Sequence, residues 1–347
     1  MDALVQTVFD GIWNIGSKVF YWTFDGWIEE KINFDPLWNE LKMFNSIGNK
    51  PILKSYNTTE KTKVYLFTIP VGMTIDNFRR NITAIAQYLH EDQRNIRIEL
   101  VNNMAAVTVY DTSKLSFEYK DYKFNTKGKE VKVPIGINLR TFEPVIWQPT
   151  SPNECHLLIG GSTGAGKSVC LKVIMEYLAN RDDVELYIQD TKVIDLVSFS
   201  EISVQYNEGK DYATETTAHL VDIMNSRYKE LKGNNNKKFN HIFYIVEELA
   251  SFNPKEDKEF YNNLAELLAK GRAASIGVII TTQAPYSEIL PGMLKNNINT
   301  IIGLKTRTGE ASKVICNNYD ALTKLRGRGH AILFNADGET EMQVFNI

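Results

Sequence analysis

The sequence predicts an α/β fold with a mostly parallel sheet for residues 151–347, and three observations support this. First, short apolar runs alternate with segments of helical spacing, which is the pattern of parallel strands joined by crossover helices. Second, several runs are apolar throughout, as expected of strands buried on both faces. Third, polar residues follow the runs directly, where open α/β sheets bind their ligands. Before this region, we predict an N-terminal helical segment and linker (1–60) and a small α+β domain (61–150).

The composition is ordinary for a globular protein, with 43% apolar and 23% charged residues. A formal net charge of −3 excludes a global basic field, so any nucleic-acid contact must be local. The three cysteines have no metal-binding spacing and fit a reduced cytosolic protein. We see neither a cleavable signal sequence nor an apolar run of about 18 residues. The expected location is therefore the cytoplasm.

The first 30 residues place apolar and aromatic side chains at amphipathic spacing. We favour a helix packed on its own protein, because a basic polar face is missing. The alternative is a segment that contacts a membrane surface or a protein partner, which would make the protein peripherally membrane-associated. A polar stretch containing Gly48 and Pro51 then predicts a linker.

Residues 61–150 alternate between strand and helix patterns. Strands are predicted at 64–69, 96–101 and 105–110, the last two joined by Asn102 and Asn103. Apolar residues at helical spacing predict one helix over 75–89. No catalytic constellation is recognisable in this part of the sequence.

The central motif is the pattern G-x-x-x-x-G-K-[ST] at residues 161–168, with an apolar strand before it and a helical pattern after it. Glycines let the backbone wrap a polyphosphate with its N–H groups inward, and the helix adds its positive dipole end. Lys167 is predicted to reach the β- and γ-phosphates, and the Ser168 hydroxyl to ligate Mg²⁺. The predicted binding residues are Gly161, Ser162, Thr163, Gly164, Ala165, Gly166, Lys167, Ser168 and Val169.

Polar residues end three of the later apolar runs. Asp190 follows the run 184–189, and the run 241–246 delivers Glu247 and Glu248. Two adjacent carboxylates there suggest one for the water shell of Mg²⁺ and one to orient an attacking water. Gln283 ends the run 276–283 and should also reach the phosphates. A further strand at 301–305 and a closing hairpin at 331–345 complete the predicted sheet.

The order of these motifs resembles the motor domain of the FtsK/SpoIIIE DNA translocases, within the FtsK–HerA group of hexameric ATPases. The phosphate loop resembles the family's Walker A segment, and Asp190-Thr191-Lys192 its Asp-Pro-Lys. Glu247-Glu248-Leu249-Ala250 resembles its Asp-Glu-Leu-Ala Walker B. Further similar stretches are Lys270-Gly271-Arg272-Ala273-Ala274-Ser275-Ile276, Thr281-Thr282-Gln283-Ala284-Pro285 and Leu325-Arg326-Gly327-Arg328-Gly329.

The resemblance implies a RecA-like P-loop NTPase core that uses ATP and Mg²⁺. Position by position, Glu248 matches the family's catalytic carboxylate and Gln283 its γ-phosphate sensor. Arg272 matches the arginine that reaches into a neighbouring subunit's site, although an arginine after a helix-ending glycine could equally cap that helix. Glu247 is the implied metal-site acid, and it is one methylene longer than the family's usual Asp.

Together these features predict an ATP-hydrolysing ring motor, a hexamer, that translocates double-stranded DNA of a plasmid, phage or other mobile element. We expect a short form without the family's C-terminal winged helix and N-terminal membrane helices. The alternative is a conjugative coupling or virion DNA-packaging ATPase. A non-motor ATP-binding switch is less favoured, since Glu248 and Gln283 indicate a hydrolytic apparatus.

Overall fold

The computed structural model describes residues 33–283 and 286–347. The chain divides into two units, one ending at Leu115 and one running from Ser116 to Ile347. The predicted N-terminal aromatic helix lies outside the described residues, as do Ala284 and Pro285. None of the helices in the two described stretches combines the length and apolarity needed to cross a bilayer.

From residue 33 onwards, the first unit contains a four-stranded antiparallel sheet and three short α-helices. Its core is an aromatic cluster in which Phe34 lies edge-on to Phe67, with ring centroids 4.8 Å apart. Asn102 and Asn103 both have positive φ, as a tight turn between strands requires, which confirms the predicted hairpin. The elements are α1 (Asp35–Glu40), β1 (Leu53–Thr58), β2 (Thr62–Thr68), α2 (Ile75–Arg80), α3 (Ile82–Tyr88), β3 (Ile96–Val101) and β4 (Met104–Tyr110), in the sheet order β1-β2-β4-β3.

The helix predicted over 75–89 is two helices, α2 and α3. The break falls at Asn81, which has φ −101° and ψ 14°. Its side-chain amide donates to the carbonyl of Asn77 at 2.8 Å, a local bond by which asparagine competes with helix geometry. The apolar spacing was continuous across this point, so periodicity alone did not reveal the break.

The second unit is organised around a ten-stranded sheet in the order β6-β5-β14-β13-β12-β7-β11-β10-β8-β9. The six strands from β12 to β9 in this order are parallel, and the other four are antiparallel. This confirms the predicted α/β class. The elements are β5 (Val133–Asn138), β6 (Pro144–Trp147), β7 (Leu157–Gly160), α4 (Lys167–Ala179), β8 (Val184–Asp190), β9 (Gln205–Glu208), α5 (Ala213–Gly233), β10 (His241–Glu247), α6 (Lys258–Lys270), β11 (Ile276–Thr282), α7 (Gly292–Lys295), β12 (Thr300–Leu304), α8 (Gly309–Cys316), β13 (His330–Asn335) and β14 (Gly338–Val344).

Helices cover both faces of the parallel strands, which explains their continuous apolar sequence. On β7, Leu157 and Ile159 pack into the hydrophobic core that contains α4. Leu158, between them, packs into the opposite core with side chains of α5 and α6. Both faces therefore need apolar residues, and only the strand ends are free to carry polar ones.

The predicted domain boundaries at 60 and 150 differ from the division in the structure. β1, predicted as linker, pairs with β2 of the first unit. β5 and β6 belong to the second unit, because Ile137 of β5 pairs with Gln343 of β14. Pairing between residues so distant in sequence leaves no mark on the local pattern, so 116–150 was assigned to the wrong unit.

Candidate functional site

The predicted phosphate loop begins at the end of β7 and leads into α4, which starts at Lys167. The neighbouring strands hold it from both sides. The Gly161 N–H donates to the carbonyl of Thr282 (3.3 Å), and the Ser162 N–H donates to that of Lys305 (2.8 Å). The loop is therefore fixed at the carboxyl edge of the parallel strands, where such sheets bind ligands.

Two loop glycines have backbone torsions that favour glycine. Gly164 has φ 77° and Gly166 has φ 111°. At Gly166 space is also restricted, since a Cβ there would lie 2.8 Å from the backbone nitrogen of Gly329. The Gly329 N–H donates to the Ala165 carbonyl at 2.8 Å. The stretch before β13 thus braces the phosphate loop directly.

Lys167 is 7% exposed, and its ammonium lies inside the loop. Its Nζ donates to the carbonyls of Gly161 (2.7 Å) and Ser162 (3.1 Å). Burial lowers the pKa of Lys167 to about 8, against the attraction of Glu248. The loop carbonyls of Gly161 and Ser162 therefore hold the cation in place.

Glu247 ends β10 and is almost completely buried. Thr191 donates its hydroxyl to the Glu247 carboxylate (3.1 Å) and backbone carbonyl (2.7 Å). The Lys192 ammonium lies 2.5 Å from the other carboxylate oxygen. Burial raises the pKa of Glu247. Burial alone would lower the pKa of Lys192, but the hydrogen bond to Glu247 outweighs it and the pKa of Lys192 is raised. Lys192 therefore supplies the positive charge that this buried acid needs.

Glu248 follows in the left-handed conformation, with φ 63°. Its N–H donates to the Thr281 hydroxyl (3.0 Å), and its Oε1 accepts the Gln283 N–H (2.9 Å). Its Oε2 is buried without a hydrogen-bond partner, 3.7 Å from the Lys192 ammonium. An acceptor oxygen in this state is suited to a water molecule or a ligand proton.

Gln283 connects this acid to the phosphate loop. Its side-chain Oε1 accepts a hydrogen bond from the Thr163 hydroxyl at 2.7 Å. The polar end of β11 thus reaches the loop as predicted, and Gln283 contacts both Glu248 and Thr163.

Ser168 reveals an acid that the sequence did not indicate. Its hydroxyl donates to Oδ2 of Asp195 at 2.8 Å. Asp195 lies in the loop after β8, where the sequence had pointed instead to Asp190 as a residue near the ligand. The carboxylate of Asp190 faces its own loop and accepts from the backbone N–H of Leu196 (3.0 Å) and the hydroxyl of Tyr206 (2.8 Å). Asp190 organises the loop, and Asp195 reaches the site.

A cavity of about 600 Å³ opens beside the phosphate loop. One wall comes from the loop and the start of α4, including Val169. Residues from the end of the second unit also line the cavity, namely Arg328, Gly329, Val344, Phe345 and Asn346. Two of them, Arg328 and Gly329, belong to a family-like stretch, whereas Val344 to Asn346 carry no motif and were missed by sequence reasoning.

Arg272 is the predicted site residue that the fold does not bring to the others. It precedes β11, whereas Thr282 is the last residue of that strand and Gln283 follows it. Seven strand residues span roughly 20 Å. The Arg272 guanidinium donates to the carbonyl of Pro152, before β7. Arg272 is therefore at the amino edge of the strands, away from its own phosphate loop.

The remaining predicted residues form one constellation whose donors suit a polyphosphate with Mg²⁺. Backbone N–H groups of the loop and Lys167 would face the phosphates, and the Ser168 hydroxyl with nearby carboxylates would supply the oxygen ligands that Mg²⁺ prefers. In the described part of the chain, no three His, Cys, Asp or Glu side chains form a metal cage by themselves. Magnesium is commonly held by one or two protein groups together with substrate phosphates, so the arrangement fits.

Two curated relatives share moderate sequence identity with this chain. The DNA translocase FtsK of Streptococcus agalactiae serotype V is 32% identical over 203 residues, which covers 50% of this chain and 24% of that protein. The DNA translocase FtsK of Staphylococcus aureus is 30% identical over 254 residues, covering 64% of this chain and 31% of that protein. The matched part of the chain thus spans about a quarter to a third of these relatives' length.

Solved structures share the fold at low sequence identity. The monomer form of the pCW3 conjugation coupling protein TcpA matches with a TM-score of 0.62 and 19% identity, over 90% of this chain and 94% of that one. ATPases 2 and 3 of Thermomonospora curvata EccC match with a TM-score of 0.56 and 17% identity, over 67% of this chain and 43% of that one. These likenesses confirm the predicted RecA-like P-loop architecture.

The sequence model of the FtsK/SpoIIIE family matches residues 114–314, more than half of the chain. The match starts two residues before the second unit and includes the phosphate loop, Glu247, Glu248 and Gln283. The chain therefore belongs to the FtsK/SpoIIIE family.

Proposed function

We propose that this chain is an ATP-hydrolysing motor that assembles into a hexameric ring and translocates double-stranded DNA. Family membership supports the class of activity, since the relatives compared above are DNA translocases. The observation that carries the proposal is the bond between Glu248 and Gln283 beside the phosphate loop. A protein that uses ATP only as a binding switch has no need of an acid held in this way.

In the proposed reaction, the loop N–H groups and Lys167 bind the β- and γ-phosphates. Glu248 orients the attacking water and accepts its proton through the buried, unpartnered Oε2. Gln283 contacts the γ-phosphate. Its bonds to Glu248 and Thr163 link this contact to the end of β10 and to the phosphate loop.

Magnesium, when bound with ATP, would neutralise the charge that develops on the phosphates. Ser168 would hold it through the hydroxyl oxygen, and Glu247 would act through the metal's water ligands. Glu247 is longer than the aspartate usual in the family, and Thr191 and Lys192 fix it in place.

Arg272 acts in trans in this proposal. The fold holds it at the amino edge of its own strands, so it cannot serve its own phosphate loop. A ring in which each subunit presents this edge to the next subunit's loop completes every site with a neighbour's arginine. Its charge stabilises the transition state only across that interface, which makes hydrolysis depend on assembly.

The cargo that we propose is DNA of a plasmid, phage or other mobile element. A second candidate function, a coupling ATPase for conjugation, is favoured by one observation. The structural match to TcpA, named as a conjugation coupling protein, covers 90% of this chain and 94% of the TcpA chain. The likeness thus extends beyond the family segment 114–314 to most of both chains.

The test is ATP turnover measured with and without duplex DNA, alongside particle size by light scattering with and without ATP. We expect duplex DNA to raise turnover, and ATP to shift the protein to a six-subunit particle. Lys167→Ala should abolish both the turnover and the ATP-dependent assembly. A turnover that duplex DNA leaves unchanged contradicts the translocase proposal, and stimulation confined to single strands favours the coupling function.

A further inference from the structure

The hydroxyl of Ser168 has one proton, and the bond to Oδ2 of Asp195 at 2.8 Å takes it. A hydroxyl binds a metal through an oxygen lone pair, so its proton must point to an acceptor elsewhere. Asp195 is that acceptor in this structure. The contact therefore sets the direction in which the Ser168 lone pairs face.

In P-loop proteins, the Walker B acid accompanies the Ser or Thr of the phosphate loop in holding the metal. Here the acid at that position, Glu247, has hydrogen bonds from other side chains to both of its carboxylate oxygens. Thr191 bonds one of its oxygens (3.1 Å) and Lys192 the other (2.5 Å). The longer glutamate side chain is thus fixed by the loop after β8, and another carboxylate from the same loop contacts Ser168.

The position of Asp195 is built into the fold. Asp190 accepts hydrogen bonds from three backbone N–H groups of the loop, those of Lys192 (3.3 Å), Val193 (3.0 Å) and Leu196 (3.0 Å). The Leu196 side chain is completely buried in the core that contains α4. Residues on both sides of Asp195 are therefore held in place. Little conformational entropy is lost when its carboxylate bonds Ser168.

Lys192 balances the charge of this arrangement. Its ammonium lies 3.9 Å from Asp195, 3.7 Å from Glu248 and 2.5 Å from Glu247. Lys192 thus faces three carboxylates. With the Lys167 ammonium also near them, carboxylates still outnumber cations by one, so a divalent ion would join a cluster that has a net negative charge. This electrostatic setting supports metal binding at Ser168.

We propose that Asp195 is the positioning carboxylate of the magnesium site: it holds the Ser168 proton and orients the hydroxyl towards the metal from the outer shell. This assignment rests on the proposed nucleotide chemistry and adds a residue to it. Partners of metal ligands commonly contribute about 10- to 100-fold to metal affinity. We expect an effect of that size for Asp195, and a smaller one for Glu247.

The experiment titrates Mn²⁺ into the full chain with a non-hydrolysable ATP analogue and follows free Mn²⁺ by electron paramagnetic resonance. Asp195→Ala should weaken Mn²⁺ binding about 10- to 100-fold. Asp195→Asn should recover much of it, because the amide oxygen can accept the same hydrogen bond. Glu247→Gln should lose less than Asp195→Ala, and Glu201→Gln, an exposed acid of the same loop, should bind as wild type.

Binding of a fluorescent nucleotide in EDTA, and thermal unfolding, show whether each variant keeps its fold. Normal Mn²⁺ binding by a folded Asp195→Ala, or a larger loss in Glu247→Gln, overturns this assignment alone. A wild-type chain that binds no Mn²⁺ with nucleotide overturns the proposed function as well. If the variants show the expected pattern of Mn²⁺ binding but duplex DNA does not stimulate ATP turnover, the role of Asp195 stands and only the translocase proposal is overturned.

Discussion

The backbone N–H of Gln283 donates to Oε1 of Glu248 at 2.9 Å, joining the end of β11 to the end of β10. Glu248 has φ 63°, a conformation that costs a non-glycine residue free energy unless its surroundings hold it. Its own N–H is bonded to Thr281. These contacts leave Oε2 as the unpartnered atom of the carboxylate. The strained backbone is thus held in a position that leaves one carboxylate oxygen without a hydrogen-bond partner, as the proposed water-orienting role requires.

Glu248→Gln should lower ATP turnover at least about 100-fold, because an amide cannot accept the water's proton. Nucleotide affinity should stay near that of wild type, and the Gln283 bond should survive, since an amide oxygen also accepts hydrogen bonds. Single-turnover kinetics and a binding titration measure the two effects. Glu201→Gln is the control, and an unchanged turnover in Glu248→Gln would remove this residue from the proposed mechanism.

Arg272→Ala should leave nucleotide binding by a single subunit intact and abolish hydrolysis in the assembled particle. Mixing Arg272→Ala with Glu248→Gln subunits should restore part of the turnover, because some interfaces then combine a wild-type acid with a wild-type arginine. Turnover at several mixing ratios measures this. Demonstrably mixed particles without any recovery would show that Arg272 has only a structural role and does not act across the interface.

Gly166→Ala should destabilise the chain more than Gly164→Ala. Both positions have positive φ, which costs an alanine about 1–2 kcal/mol. At Gly164 the added methyl meets no atom within 4 Å, whereas at Gly166 it lies 2.8 Å from the backbone of Gly329. We expect a total loss of about 3 kcal/mol or more at Gly166. Denaturant midpoints measure both, and equal losses would contradict the close approach.

His156 should make stability depend on pH. Its Nδ1 accepts the Val278 N–H at 3.1 Å, and burial lowers its pKa to about 4. In the unfolded chain a histidine protonates near pH 6.5. The unfolded state therefore binds more protons between these values, so the contribution is intact above pH 6.5 and declines as the pH falls towards 4.

His156→Asn tests this, because the asparagine oxygen can accept the same hydrogen bond without titrating. The free energy of unfolding should fall less on acidification in the variant, by on the order of 3 kcal/mol between pH 7 and 4. Denaturant titrations at several pH values measure the difference. Parallel pH profiles for the two proteins would show that His156 does not titrate in this range.

The sequence predicted those features that depend on neighbouring residues. The glycine loop, Glu247, Glu248 and Gln283 follow apolar runs, and parallel strands bring their carboxyl ends together. Asp195 was missed because only the fold of its loop, set by Asp190, turns it towards Ser168. Asp190 has the more conspicuous position at a strand end, yet it bonds its own loop. Which of two nearby acids enters a site depends on backbone torsions that periodicity does not encode.

Long-range pairing explains the other misses. The boundary at 150 was wrong because β5 finds its partner in β14. The cavity wall of Val344 to Asn346 was missed for the same reason. These residues lie far along the chain from the phosphate loop, and no local pattern relates the two regions.

The hydrogen bond from Gly329 to Ala165 has a consequence for the order of folding. During synthesis, the glycine loop leaves the ribosome long before its brace and the facing cavity wall, which end at Asn346. The residues of β7, α4 and β8 are made early, but β7 pairs with the later strands β11 and β12, and the phosphate site stays incomplete until β13 and β14 have been made. The chain therefore becomes able to bind nucleotide only late in synthesis, and nucleotide binding indicates that the sheet of the second unit is complete.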